Sequence, residues 1–418
     1  MAAPGQSRFF YGHVITAAGF FIWLIGWGSF TPSFSVFLKP LIAEFGWSRA
    51  DASLAYSLSF LSQAGFAVIM GWLTDRLGPR LVITLLGSCL GLCYLLLSQV
   101  TALWQFQAIY ALLGGLGMST LSVPVMVTVS RWFVKKRAFT IGIVQAGMGI
   151  GGLIFPPLAG YLILAYGWRD AYIVYGLINL VGIFVAGCAL RRDPSVMGEV
   201  PDGRENLGEA SHGQAAGARP ASLSLRKAFC ASQFWIIAGL YAVFGFCRST
   251  YVSHVPAHVQ DLGFSLVDGA NVLAVVWGAS MFGRVGMGRI ADRLGNRQTF
   301  IVSFLMTTAS LFLVLVGKEL WIIYLFALIF GVAWGNQAVL RFSVASEVFG
   351  VASLGLIVGI LGVAESCAAT VGSYIAGYIF DITGHYYLAF EICMAILLLG
   401  IIVNVTMRPT RLKIAGKL

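Results

Sequence analysis

The 418-residue chain is 58% hydrophobic and only 11% charged, whereas a soluble domain carries about 25% charged residues. No water-facing globular surface can be built from that composition, so lipid must serve as the solvent. The net charge of +10 does not point to nucleic acid, because the cations sit in short segments between apolar runs.

Twelve apolar runs of about 20 residues or more, the length a bilayer core requires, are predicted at 11–37, 51–73, 79–99, 102–129, 138–163, 169–190, 232–258, 267–290, 298–317, 320–345, 353–378 and 385–407. The first is long enough to span and lacks a small-residue cleavage pattern, so it reads as a helix and not as a signal peptide. Residues 191–228, rich in Gly, Ala, Ser, Pro and charge, read as a flexible cytoplasmic linker. The expected organisation is an N-terminal six-helix bundle over 1–190, the linker over 191–228, and a C-terminal six-helix bundle over 229–418. The fold class is an all-α membrane protein with twelve transmembrane helices. Of the 27 Lys and Arg, Lys39, Arg49, Arg169 and Lys318 fall on one side, Arg248 and Arg284 lie within spans, and the rest fall on the other side. By the positive-inside rule both termini are cytoplasmic. The seven cysteines (Cys89, Cys93, Cys188, Cys230, Cys247, Cys367 and Cys393) lie in or beside apolar stretches, with no Cys-x-x-Cys pair. They read as small core residues, and no metal or cofactor is expected.

The halves repeat. Gly71-Trp-Leu-Thr-Asp75-Arg76-Leu-Gly78-Pro-Arg80 returns 217 residues later as Gly288-Arg-Ile-Ala-Asp292-Arg293-Leu-Gly295-Asn-Arg297. The same offset maps Gly114 onto Gly331, Gly142 onto Gly359, Ala159-Gly160-Tyr161 onto Ala376-Gly377-Tyr378, and Gly167 onto Gly384. Two parallel copies in a strongly apolar chain mark a transporter whose substrate sits between the halves. Small residues at close-packing spacing, Gly147 with Gly151, Gly278 with Gly283 and Gly286, and Gly355 with Gly359, allow helix backbones to approach in lipid. They read either as static packing or as faces that slide when the halves rock. Pro124, Pro156, Pro157 and Pro256 fall within spans and can kink them.

The repeated Gly-x-x-x-Asp-Arg-x-Gly loop resembles the signature of the major facilitator superfamily. Phe34-Ser-Val-Phe-Leu-Lys39-Pro-Leu-Ile-Ala-Glu44-Phe-Gly-Trp47-Ser-Arg49 resembles the end of helix one in the monocarboxylate porters. So do Arg131-Trp-Phe-Val-Lys135-Lys136-Arg137-Ala, Pro156-Pro157-Leu and Tyr166-Gly-Trp168-Arg169. The resemblance implies two six-helix bundles related by a parallel pseudo-twofold. It also implies proton-coupled symport of a small monocarboxylate, such as lactate or pyruvate, by alternating access. It makes Arg284 the residue that binds the substrate carboxylate, and a bacterial lactate-type porter in the inner (plasma) membrane the expected setting. Two positions depart from the pattern: the chain has Ser33 after Pro32 where animal members carry a lysine, and Ser280 where they carry an aspartate. If protons are coupled here, another group must carry them. The related oxalate–formate exchangers use a helix-eleven lysine, and none occurs in 353–378.

Charges deep in a span cost several kcal/mol on insertion scales. Arg284 offers a planar fork that matches a carboxylate, the alternative being an ion pair with Glu365 or a cap on helix carbonyls. Ser280, one turn away on the same face, could hold a substrate oxygen or bond its own backbone. His254 and Glu365 are the candidate proton-coupling groups, against a satisfied structural histidine and a charge-balancing carboxylate. Arg248 is a weaker candidate, for a gate or a helix-end contact. Tyr387, with Tyr386, could close over substrate from outside. Asp75, Arg76, Asp292 and Arg293, at cytoplasmic helix ends, are candidate conformational latches. The expected partners are a small monocarboxylate, protons and lipid, with a monomer as the working unit. An oxalate/formate-type anion exchanger without proton coupling is the alternative. A membrane-embedded enzyme finds no support, since no His-Glu-x-x-His, Gly-x-Ser-x-Gly or phosphate-loop motif occurs.

Overall fold

The computed structural model describes residues 10–133, 137–201, 232–349 and 354–406, among which no strand occurs. Twelve helices are long and apolar enough to cross a bilayer. They are α1 (Gly12–Phe45), α2 (Arg49–Leu77), α3 (Pro79–Leu97) and α4 (Leu103–Trp132), then α5 (Arg137–Tyr166), α6 (Trp168–Cys188), α7 (Ser232–Asp261) and α8 (Leu266–Leu294). The last four are α9 (Asn296–Val316), α10 (Leu320–Phe349), α11 (Leu354–Thr383) and α12 (Tyr387–Thr406).

Several helices run past the apolar windows. Apolarity in α1 fades at Lys39, yet the backbone continues to Phe45 and stops only where Gly46 turns left-handed (φ 69°). Helix α2 starts at a side-chain cap: Ser48 is extended and its Oγ accepts from the Asp51 amide at 3.0 Å. Bilayer hydropathy sets where lipid lies, whereas caps set where helices end.

The repeat is visible in the backbone. Seven described glycines have positive φ, and six of them pair at the 217-residue offset: Gly46 with Gly263, Gly78 with Gly295, and Gly167 with Gly384. Gly78 and Gly295 adopt nearly one conformation, φ 83° and ψ 156° against φ 88° and ψ 152°. A side chain would be strained at each such corner. Two of the pairs turn the chain at the end away from the termini, hereafter the far end; the third lies at the near end.

Each half has its own core. One cluster draws almost wholly on α1–α6, including Phe34, Tyr56, Tyr110 and Trp132; the other draws on α7–α12, including Tyr251, Trp277, Phe326 and Phe390. Between the halves α2 lies along α11, and α5 along α8. Small residues permit both contacts. A Cβ on Gly377 would sit 2.8 Å from Ala50 Cα, and one on Gly152 2.5 Å from Trp277. The glycine spacing in α5 thus has two functions. Gly147 and Gly151 face the α1 backbone within their own half, while Gly149 and Gly152 face Met281 and Trp277 across the interface. Gly283 likewise packs inside its own half, on Val332.

Candidate functional site

The far end is closed by a network on one arginine. Arg49, the first residue of α2, sits with its side chain only 9% exposed. Its guanidinium forks onto Asp261 at the end of α7, with Nη1–Oδ2 2.8 Å and Nη2–Oδ1 3.0 Å. Lys39 of α1 joins the same carboxylate at 2.9 Å. The face of the guanidinium lies 3.5 Å from the Phe380 ring centroid. The Asp381 carboxylate, from α11, accepts the amides of Arg49 and Ala50 at 3.0 Å each, so a residue of one half caps a helix of the other. Charge and capping thus bring α1 and α2 of one half against α7 and α11 of the other.

The network reaches inward. Arg49 Nη1 donates to the Tyr386 hydroxyl at 2.5 Å, and that hydroxyl lies 3.2 Å from His254 Nδ1. His254 Nε2 lies 2.9 Å from the Ser373 carbonyl and 3.5 Å from Ser53 Oγ. A carbonyl only accepts, so Nε2 carries the hydrogen and Nδ1 accepts the Tyr386 proton. A neutral His254 ring in this tautomer uses both nitrogens.

A second polar group lies deeper. Arg248 on α7 stands 13 residues before Asp261, about 20 Å in at 1.5 Å per residue. Its Nη2 is 3.9 Å from Glu365 Oε1 on α11, and its guanidinium carbon is 5.5 Å from the Phe60 ring centroid. Arg248 and Thr31 stand beside the Tyr56 hydroxyl, without a hydrogen bond of normal geometry to it. Glu365 thus has Arg248 as an ionic neighbour.

The other candidates are distributed as follows. Arg284 sits half-buried on α8, 18 residues in from Leu266. Ser280 is fully buried and donates to the Trp277 carbonyl of its own helix at 2.7 Å. Ser33, the other departing position, lies 3.2 Å from the Tyr175 hydroxyl inside its own half. Tyr387 remains partly exposed at the far-end rim beside His385, ring centroids 5.0 Å apart, and its neighbour Tyr386 takes the buried position. At the near end Asp75 binds Arg131 at 2.8 Å, and Arg76 covers Trp72 at 4.4 Å. Both contacts stay within the first half. The side chains of Asp292 and Arg293 lie outside the described residues, as does most of the linker. Arg49, Asp261 and Tyr386 form the far-end closure; the sequence offered Tyr386 for closing from outside but singled out neither Arg49 nor Asp261. Two of the motifs that carried the family resemblance also meet there, where Glu44 accepts from Trp168 and Arg169, each at 2.5 Å.

The family model for the Major Facilitator Superfamily matches residues 15–335 and 279–416. Monocarboxylate transporter 13 of Rattus norvegicus is 27% identical over 400 residues, covering 95% of this chain and 89% of the relative. The probable sulfoacetate transporter SauU of Cupriavidus necator is 25% identical over 390 residues, covering 88% of each. In fold, the chain is similar to a bacterial homologue of the human lysosomal transporter Spinster in an inward-facing, occupied conformation. There the TM-score is 0.77 at 14% identity, with 96% of this chain and 97% of the other covered. Twelve apolar helices and these relatives describe a multi-pass membrane transporter, two six-helix bundles in the facilitator arrangement. With its length matched almost end to end, the chain belongs to the Major Facilitator Superfamily, and monocarboxylate transporters are among its relatives.

Proposed function

We propose that the protein carries a small monocarboxylate of the lactate or pyruvate kind together with a proton, by alternating access of residues 1–190 against residues 229–418. The relatives named monocarboxylate transporters, together with a buried-span arginine at 284, are the observation that carries this reading. Arg284 binds the carboxylate, with Ser280 beside it holding the helix geometry. The setting is a bacterial-type plasma membrane, with the termini and the 191–228 linker in the cytoplasm and a single copy as the working unit. Asp75, Arg76, Asp292 and Arg293 act at the near end when that end closes.

Glu365 is the better supported proton carrier. Its pairing with Arg248 is neutral overall, so a proton on Glu365 leaves a net positive charge at membrane depth. An uncompensated charge there is costly, and an incoming anion relieves it. With Arg284 counted, empty and doubly loaded carriers hold the same net charge, while singly loaded ones differ from it by one unit, which is the condition for symport. His254, already committed on both nitrogens, is better supported as part of the far-end closure. Glu365→Gln should abolish proton-driven lactate accumulation and leave lactate counterflow intact. Accumulation by that variant at the wild-type level rejects Glu365 as the carrier.

A further inference from the structure

We infer that Arg248, Tyr56 and Thr31 form an oxyanion subsite between the two halves, one that takes a carboxylate. The inference rests on the chain being an organic-anion carrier, and it adds a binding position to Arg284. Three observations lead to it. The Tyr56 hydroxyl and Thr31 Oγ1 belong to residues 0% and 1% exposed, and neither has a hydrogen-bond partner of normal geometry. Nor has Arg248 Nε, also buried. These side chains stand together around Tyr56.

A count of donors points to the ligand. The Arg248 Nε–H and the two hydroxyls are three buried donors without a partner of normal geometry. The Glu365 carboxylate nearby is 3.9 Å from Nη2, beyond hydrogen-bond length. Buried donors left unmade cost about 1–3 kcal/mol apiece. The group that satisfies this surplus must be small, rich in acceptors and free of donors. A carboxylate meets all three conditions and fits the fork in bidentate fashion. The Phe60 ring beside the guanidinium leaves an apolar wall for a short alkyl substituent. A larger dianion would bring a second charge against Glu365.

The position also suits a carrier. Thr31 and Tyr56 belong to α1 and α2, Arg248 to α7, so a bound carboxylate bridges the halves at mid-depth. Its binding energy therefore depends on how the halves are disposed, which allows substrate to bias the conformational equilibrium.

The test combines anion-dependent thermal stabilisation of the purified full-length protein, using formate, acetate and lactate, with lactate uptake in liposomes. Tyr56→Phe and Thr31→Val each remove one uncharged donor and should raise the lactate KM about threefold, with kcat little changed. Arg248→Gln alone strands Glu365, so the charge-balanced double variant Arg248→Gln/Glu365→Gln is the decisive one. It should fold and be stabilised less by all three anions, with a loss of affinity of about tenfold or more. If the double variant is stabilised like wild type, or if both donor variants keep the wild-type KM, the subsite is rejected. A wild type that takes up no lactate, yet is stabilised by small carboxylates in an Arg248-dependent way, overturns the transport reading and upholds the subsite.

Discussion

The Tyr386 hydroxyl lies 3.2 Å from His254 Nδ1, and this contact ties the closed far end to a group that can titrate. The oxygen of Tyr386 accepts from Arg49, and its proton is directed to His254 when that ring is neutral. A proton on His254 would turn Nδ1 into a donor, aim a second donor at the same oxygen, and place a cation near Arg49. Arg49 and Tyr386 are the groups of other helices that act on the ring, besides the Ser53 hydroxyl and the Ser373 carbonyl; on its own helix, His258 and Asp261 follow at one and two turns.

Acidification should therefore favour opening of the far end. An imidazole freed from this closure can take up a proton; the closed form, with both nitrogens committed, has no place for it. The state that binds more protons gains as pH falls. The open-to-closed ratio should rise as the pH falls from 7.5 to 5.5. Spin labels at Thr101 and Lys318, both exposed at far-end loops of opposite halves, report the distance. His254→Gln should remove the pH response, and an unchanged response in that variant contradicts the assignment.

Arg49 is the anchor of the closure. Arg49→Ala leaves Asp261 without its fork and Tyr386 without its donor. Breaking a buried pair costs about 3 kcal/mol, so the closed form should lose about a hundredfold in population. The same label pair should show a long distance at every pH. A closed-state distance retained by Arg49→Ala would mean that packing, not charge, holds this end.

Glycine contacts divide by location. A methyl at Gly377 would meet Ala50 Cα and N at 2.8 Å, and backbone atoms cannot swing aside. Gly377→Ala should disfavour far-end closure with little loss of thermal stability, because the clash exists only when the halves meet. Gly151→Ala, whose methyl would meet the Leu24 carbonyl at 2.2 Å, should destabilise the first half itself, lowering the melting temperature by several degrees. Comparing melting curves with spin-label distances separates the two effects.

Much of this was legible in the chain. Apolar length gave the twelve spans, and the 217-residue offset matched Gly78 to Gly295, which the backbone shows as paired corners of positive φ. The far-end closure was not legible. Arg49 reads as an exterior cation, since its partners Asp261 and Tyr386 lie 212 and 337 residues away, and nothing local marks their meeting. Arg248 was underrated for the same reason: its relation to Glu365 depends on the register of α7 against α11. In α5 the string Gly147-Met-Gly149-Ile-Gly151-Gly152 offers small residues on several sides of the helix, so spacing alone could not say which face meets the other half.

Arg284→Lys tests the carboxylate site. Lysine keeps the charge and loses the planar fork, so lactate uptake should fall by at least about a hundredfold while the protein still folds and inserts. Near-normal uptake would move carboxylate recognition elsewhere, with Arg248 the first place to look.

The central claim, symport of a monocarboxylate with a proton, is tested most directly in proteoliposomes that contain only the purified protein. Labelled lactate is offered with an inward proton gradient, and again with none, while the membrane potential is clamped at zero. The account predicts accumulation above the outside concentration only with the gradient, and its collapse on adding a protonophore. Uptake that ignores the gradient but requires a carboxylate preloaded inside would contradict it, and would identify an anion exchanger instead.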